Sequence, residues 1–336
     1  MVPEAGRRKV AGGLALLGGL ALAGLLPRTR AARAGVRETA RAVVGLRAEI
    51  HPEARSLATL GRERIGSGVA IDAAGLVLTI GYLVLEASGI ELRAEGRAVP
   101  GEVVAYDGES GLALVRAKGA LGVQPAPLGR AAELPLGTPL LVVSRATRLD
   151  GRQVSLVDRR EFAGYWEYLC EEALFTRPPH PEFAGAALVE AGGTVVGIGS
   201  LFVSDAAARG VESPGNMFVP VDLLRPILAD LLAFGRRQTP PRPWLGLFLR
   251  EEGAMVRVVR VAEGGPAERA GVRAGDLVIA LAGERVGSLA ELYRRLWNQG
   301  PAGIDVTLDL HGERGLRRVI VTSMDRDRWL RWGRTF

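Results

Sequence analysis

Gly66-Ser67-Gly68-Val69-Ala70-Ile71, then Asp72-Ala73-Ala74-Gly75, then Leu76-Val77-Leu78-Thr79-Ile80 reads as a strand, a turn and a returning strand. Short apolar, β-branched runs favour extended backbone, and Asp and Gly supply the reversal between them. Working outward, further strands are expected at residues 90–92, 103–106, 112–115, 140–143 and 154–157. Leu188-Val189 and Val195-Val196 flank Gly192-Gly193, the signal of another hairpin. Many short strands at this spacing argue a mainly β domain, a barrel or a sandwich. Helix is expected briefly at 37–41 and again at 221–234.

A length of 336 residues allows two domains with extensions, and 48% hydrophobic residues suffice for packed cores. The net charge of +6 rests on arginine, with Lys9 and Lys118 as the only lysines. No basic stripe is interleaved with aromatics, so nucleic acid is not an expected partner. Cys170 is the single cysteine, which excludes an intrachain disulfide or a thiolate cluster, and it is expected to be a buried hydrophobe. His51, His180 and His311 lack any metal-ligand spacing; no metal and no cofactor are expected, and His180 is expected at the surface.

At the amino end Arg7-Arg8-Lys9 precedes an apolar run from Val10 to Leu26, 17 residues long. That is a charged region followed by a hydrophobic helix at the short limit for spanning a bilayer. It reads as a signal-anchor tethering the chain to the inner membrane, with a cleaved signal peptide as the alternative. Either places the rest of the chain outside the cytoplasm, in the periplasm of a bacterial cell envelope.

The segment Gly66 to Thr79 is similar to the opening hairpin of HtrA (Deg) proteases, which are trypsin-like serine proteases with a PDZ domain. In that family a histidine follows closely; the gap-free position here is Tyr82. The family's Asp-x-x-x-Asp-Leu-Ala-Val-Leu window reads Asp107-Gly108-Glu109-Ser110-Gly111-Leu112-Ala113-Leu114-Val115, so Gly111 replaces the orienting aspartate. The nucleophile turn resembles Pro181-Glu182-Phe183-Ala184-Gly185-Ala186-Ala187-Leu188-Val189, with Ala184 at the serine. Residues 159–179 do not match, and their aromatic cluster Phe162, Tyr165, Trp166 and Tyr168 reads as a private elaboration.

Acyl transfer on this fold needs a nucleophile, a base and an orienting carboxylate. Ala184 has no nucleophilic atom, Tyr82 with a reference pKa of about 10 is a poor base, and Gly111 orients nothing. Glu182 and Ala186, in place of family glycines, are expected to reshape the oxyanion turn. A Cys170–His180 dyad and Ser200 are weaker substitutes, both outside a nucleophile context.

Arg236 to Pro243 is a proline-rich, extended linker. Beyond it, Trp244-Leu245-Gly246-Leu247 and Gly265-Pro266-Ala267-Glu268-Arg269-Ala270-Gly271-Val272-Arg273-Ala274-Gly275-Asp276 resemble the PDZ domain of the same family. Ser288 with Glu291 forms a capping box, and Leu289, Leu292, Tyr293, Leu296 and Trp297 recur at helical spacing. PDZ domains bind extended peptides at a sheet edge and receive the terminal carboxylate on backbone N–H groups. By resemblance Leu245, Gly246 and Leu247 supply those donors, and Leu289 and Tyr293 line the groove. A hairpin is expected between Gly303 and Val321, turning at His311 to Gly315.

The expected architecture is therefore a signal-anchor or signal peptide (1–35), a trypsin-like double β-barrel (36–235), the linker (236–243), an α+β PDZ domain (244–325) and a basic, aromatic tail (326–336). The tail reads as a membrane-surface segment, a docking peptide or a frayed end. The expected function is a catalytically inactive protein that binds peptides or protein C-termini, as scaffold, regulator or chaperone-like factor. It would assemble with itself or with an active HtrA relative. The alternative is a serine endopeptidase of periplasmic protein quality control.

Overall fold

The computed structural model describes residues 30–330; the amino-terminal apolar run and the last residues of the tail lie outside them. Helix α1 (Arg30–Ala42) opens the described chain and is longer than the 37–41 turn expected. It leads into β1 (Val43–Ile50), β2 (Glu63–Ala70), β3 (Leu76–Ile80), β4 (Ala87–Ala94), β5 (Arg97–Tyr106) and β6 (Leu112–Ala117). These close a first barrel in the order β1-β2-β3-β6-β5-β4. Closure leaves no unpaired strand edge, and the all-buried pattern of β3 reflects its place between β2 and β6.

The second barrel is built from β7 (Pro139–Ser144), β8 (Asp150–Gly164), β9 (Tyr168–Arg177), β10 (Ala187–Val189), β11 (Val195–Val203) and β12 (Gly215–Pro220). Its order is β10-β11-β12-β9-β8-β7. The expected strand segments fall inside these elements, except that β2 stops at Ala70, one residue short of the expected Ile71. The region that matched no family pattern is the long β8–β9 hairpin, which pairs from Ser155↔Arg177 up to Gly164↔Tyr168. The expected helix at 221–234 is broken: a 3-10 turn at Val221–Leu223 precedes α2 (Leu228–Phe234), which Gly235 ends in the left-handed region at φ 72°.

The third unit is a sheet of β13 (Leu247–Glu252), β14 (Met255–Val261), β15 (Leu277–Leu281), β17 (Asp305–Gly312) and β18 (Gly315–Thr322), with β16 (Glu284–Arg285) beside β15. Strand β13 ends the order and so presents an edge. Across the sheet lies α3 (Leu289–Asn298), whose start is capped as expected: Ser288 Oγ accepts the Glu291 N–H. The 305–322 hairpin reverses between the paired Gly312 and Gly315, tighter than expected.

The linker and the tail are less free than their composition implies. Arg237 donates Nε and Nη2 to the two oxygens of Asp107, both at 2.7 Å, and Glu109 receives Arg237 and Arg242 at 3.1 and 2.9 Å. Residues Arg326–Trp329 form a helical turn, α4; Trp329 packs on Trp244 at 4.9 Å between rings, and Leu330 is buried. The described part of the tail is thus a packed piece of the fold and not a frayed end. No helix among the described residues is long and apolar enough to cross a membrane.

Candidate functional site

The stretch around Ala184 joins the two barrels. The carbonyl of Ala184 accepts the N–H of Ser67 on β2 at 2.9 Å, and Gly185 N–H donates to Gly199 on β11 at 2.9 Å. Gly185 holds φ 69°, and a Cβ built there would stand 2.0 Å from the carbonyl oxygen of Ser67. Only glycine accepts both that torsion and that approach. The turn therefore survives as a staple between barrels. Beside it the Glu182 N–H donates to His180 Nδ1 at 3.1 Å, and the Glu182 carboxylate receives Ser144 and Thr147. One of the positions from which an oxyanion donor would be expected already has a partner.

Tyr82, expected at the base position, donates its hydroxyl to the Ser200 carbonyl at 2.8 Å, and burial raises its pKa well above the ordinary phenol value. It is a fixed donor with no capacity to take a proton at neutral pH. Gly111, expected at the orienting position, holds φ 77°, and a Cβ there would meet the Tyr168 ring at 3.4 Å. The Gly111 carbonyl receives Gly81 N–H at 2.7 Å. An aromatic from the β8–β9 hairpin thus stands beside the place where a carboxylate side chain would start. Tyr82, Gly111, Phe183 and Ser200 wall one side of a cavity of about 460 Å³; Trp166, Phe248 and Trp329 are among those walling the other.

The substitute nucleophiles fare no better. Cys170 is buried, as expected, and burial pushes its thiol up to about 11, so it stays protonated. His180, expected at the surface, is fully buried; burial lowers its pKa, and it faces Asp150 at 3.5 Å. The cause is the short β9–β10 connection, where His180 N–H donates to the buried Asn216 side chain at 2.6 Å. Among the described residues no cluster of His, Cys, Asp and Glu could hold a metal.

The second locus lies on the PDZ-like sheet. Leu245, Gly246 and Leu247 do converge their N–H groups, as expected, and the convergence point is occupied. The Glu167 carboxylate, from the tip of the β8–β9 hairpin, accepts all three at 2.9, 2.7 and 2.7 Å. Leu249 N–H on β13 donates to the Tyr165 carbonyl at 2.8 Å, the kind of bond an added strand makes. Tyr293 on α3 donates its hydroxyl to the Gly164 carbonyl at 2.7 Å and accepts Glu167 N–H at 3.2 Å. Leu289 is packed into the core instead, its N–H donating to Glu251 at 2.7 Å.

Glu167 is buried and sits at φ 57°, a region few non-glycine residues adopt. Burial pushes its pKa up to about 7, the three backbone donors and Arg326 pulling the other way. Sequence reasoning missed this residue. The signal was present as a carboxylate set between Trp166 and Tyr168 in a stretch otherwise aromatic and apolar, but nothing in one dimension ties it to residues some 80 positions downstream.

Comparison with known proteins agrees with this fold. The trypsin-like peptidase domain family matches residues 66–198, and the PDZ domain family matches residues 257–308. The chain is 30% identical over 293 residues to the putative serine protease HhoA of Synechocystis sp., covering 76% of this chain and 69% of that one. It is 27% identical to the serine protease PepD of Mycobacterium tuberculosis, covering 82% of this chain and 64% of the relative. It is 26% identical to a probable periplasmic serine endoprotease, DegP-like, of Ectopseudomonas mendocina, covering 79% and 58%. Among solved structures, the HtrA-type protease AlgW with a decapeptide superposes with TM-score 0.52 at 18% identity, covering 86% of this chain and 97% of that one. The serine endoprotease from Yersinia pestis gives 0.53 at 21%, covering 89% and 99%. At these identities the structural likeness speaks for the fold alone.

Proposed function

The chain belongs to the HtrA-type family of trypsin-like serine proteases with a C-terminal PDZ domain, and we propose that it works there as a binding protein, not as a peptidase. The observation that carries this is the set of side chains at the three triad positions. Ala184 offers no nucleophile, Tyr82 is committed to the Ser200 carbonyl, and Gly111 has no carboxylate. Removing one triad member costs about four to six orders of magnitude in rate, and here all three are absent.

On this reading the PDZ groove is the working surface. Its ligands are peptides or protein C-termini whose carboxylate meets the N–H groups of Leu245, Gly246 and Leu247, with Tyr293 shaping the groove. The chain serves as scaffold, regulator or chaperone-like factor in the cell envelope, held at the inner membrane by residues 10–26. It assembles with itself or with an active relative. The relatives named as periplasmic endoproteases support the envelope setting. They fit equally a serine endopeptidase of periplasmic quality control; what favours the binding reading is the chemistry at 82, 111 and 184.

The test is a casein-cleavage assay on the purified chain beside its Ala184→Gly variant. No cleavage by either is expected. Cleavage by the parent that the variant loses would sink the non-catalytic reading.

A further inference from the structure

A groove that receives C-terminal peptides offers two things: a row of backbone groups along a sheet edge, and convergent N–H donors for a carboxylate. Both are already engaged by this chain itself. The tip of the β8–β9 hairpin lays Tyr165 along β13 through the Leu249 N–H. Two residues on, Glu167 delivers a carboxylate to all three donors of the 245–247 loop. Tyr293, from the helix side of the groove, bonds the tip at both Gly164 and Glu167. Leu169, just beyond, packs into the apolar cluster formed by Leu245, Leu247, Leu292 and Leu296. The segment thus presents a carboxylate and an aliphatic side chain together, as the last residue of a peptide does.

Burying a carboxylate is unfavourable unless its lone pairs are satisfied, and a glutamate in the left-handed region adds backbone strain. Both costs are offset at this loop, where three donors point at one spot.

Building on the reading of this groove as a peptide site, we propose that residues 164–167 are its internal ligand. Glu167 stands where a peptide's terminal carboxylate binds, and C-terminal peptides with an apolar last residue are captured only by displacing it. A tethered ligand acts at high effective concentration, so free peptides bind the full chain more weakly than they bind an emptied groove.

The experiment uses the full chain, Glu167→Ala and Glu167→Gln, with a fluorescein-labelled decapeptide ending in Ala-Ala-Leu and a free carboxylate. Amide hydrogen exchange is followed at Leu245, Gly246 and Leu247, with Val258 and Leu308 inside the sheet as controls for folding. In Glu167→Ala the three loop amides are expected to exchange at least about tenfold faster while the controls hold, and the peptide to bind at least about tenfold tighter than to the parent, as loss of charge-assisted bonds implies. Glu167→Gln, which keeps the shape and loses the charge, is expected between the two. Unchanged protection of the loop in both variants would overturn the proposal. So would faster exchange without any gain in peptide affinity, since Glu167 would then be a structural anchor alone. Cleavage of the peptide during the titration would count against the non-catalytic reading only, because the exchange comparison reads the hairpin by itself.

Discussion

Replacing Asp107 by Asn tests whether the carboxylate retained from the family motif has become a clamp on the linker. Asp107 is 3% exposed and takes a two-pronged contact from Arg237, together with the Ser110 N–H at 2.9 Å. Bonds to charged groups are worth about 1.5–3 kcal/mol each, and breaking a buried pair by removing one partner costs roughly 3–5 kcal/mol. Asn keeps a carbonyl for Ser110, and Glu109 still holds Arg237 at 3.1 Å and Arg242 at 2.9 Å. Those residual contacts set the expected loss at about 2–3 kcal/mol, below the full-pair range. At about 1.4 kcal/mol per decade this corresponds to a roughly 30- to 150-fold larger population with the linker detached. Trypsin reads that population directly, since Arg236 and Arg237 are its sites in the linker, Arg242 being blocked by Pro243. Nicking between the barrels and the PDZ domain should accelerate by about that factor, provided opening is fast relative to cleavage. A rate within about twofold of the parent would refute the clamp and leave Asp107 without a role.

Other outcomes are expected from the same geometry. Gly185→Ala forces a methyl against the Ser67 carbonyl in a left-handed torsion, so a loss of more than about 3 kcal/mol or failure to fold is expected in denaturant titration, far beyond the average substitution. Ser288→Ala removes the oxygen that receives the Glu291 N–H and should cost about 1 kcal/mol, read by the same titration. Glu167 and Asp327 are pushed by burial up to about 7 and about 6. The folded chain therefore holds protons at these groups that the unfolded chain has released, and their contribution is complete in mild acid and lost as pH rises through that window. Glu167 is faced by Tyr293 from α3 and Arg326 from α4, and Asp327 by Asp325, Arg236 and Asp107. Thermal unfolding should show a component of stability that declines from about pH 4 to about pH 7, and Glu167→Gln should flatten it.

What the sequence disclosed depended on whether the information was local. The β2–β3 hairpin and the barrel strands announce themselves through apolar runs and turn residues, because each strand's burial repeats over a few positions. The cap at Ser288 is local in the same way. The resemblance at Tyr82, Gly111 and Ala184 rests in the same way on the residues that flank each position. By contrast, the burial of His180 depends on Asn216 across the barrel, and the clamp on the linker on Asp107 some 130 residues away. Composition alone suggested a free linker at 236–243; the arginines that make it polar are the residues that tie it down. Glu167 is the extreme case. The loop at 245–247 could be picked out by resemblance, but the carboxylate that meets its N–H groups came from the β8–β9 hairpin, a stretch with no pattern to match.

The role of residues 245–247 is tested most directly by a nitrogen-resolved NMR titration of the full chain with a peptide bearing a free C-terminal carboxylate, beside its C-terminal amide. Expected are saturable shifts of the Leu245, Gly246 and Leu247 amides with the free acid, none with the amide, and a peptide that stays intact throughout. Equal shifts with both peptides, or peptide fragments accumulating in the tube, would contradict a non-catalytic carboxylate receptor at this site.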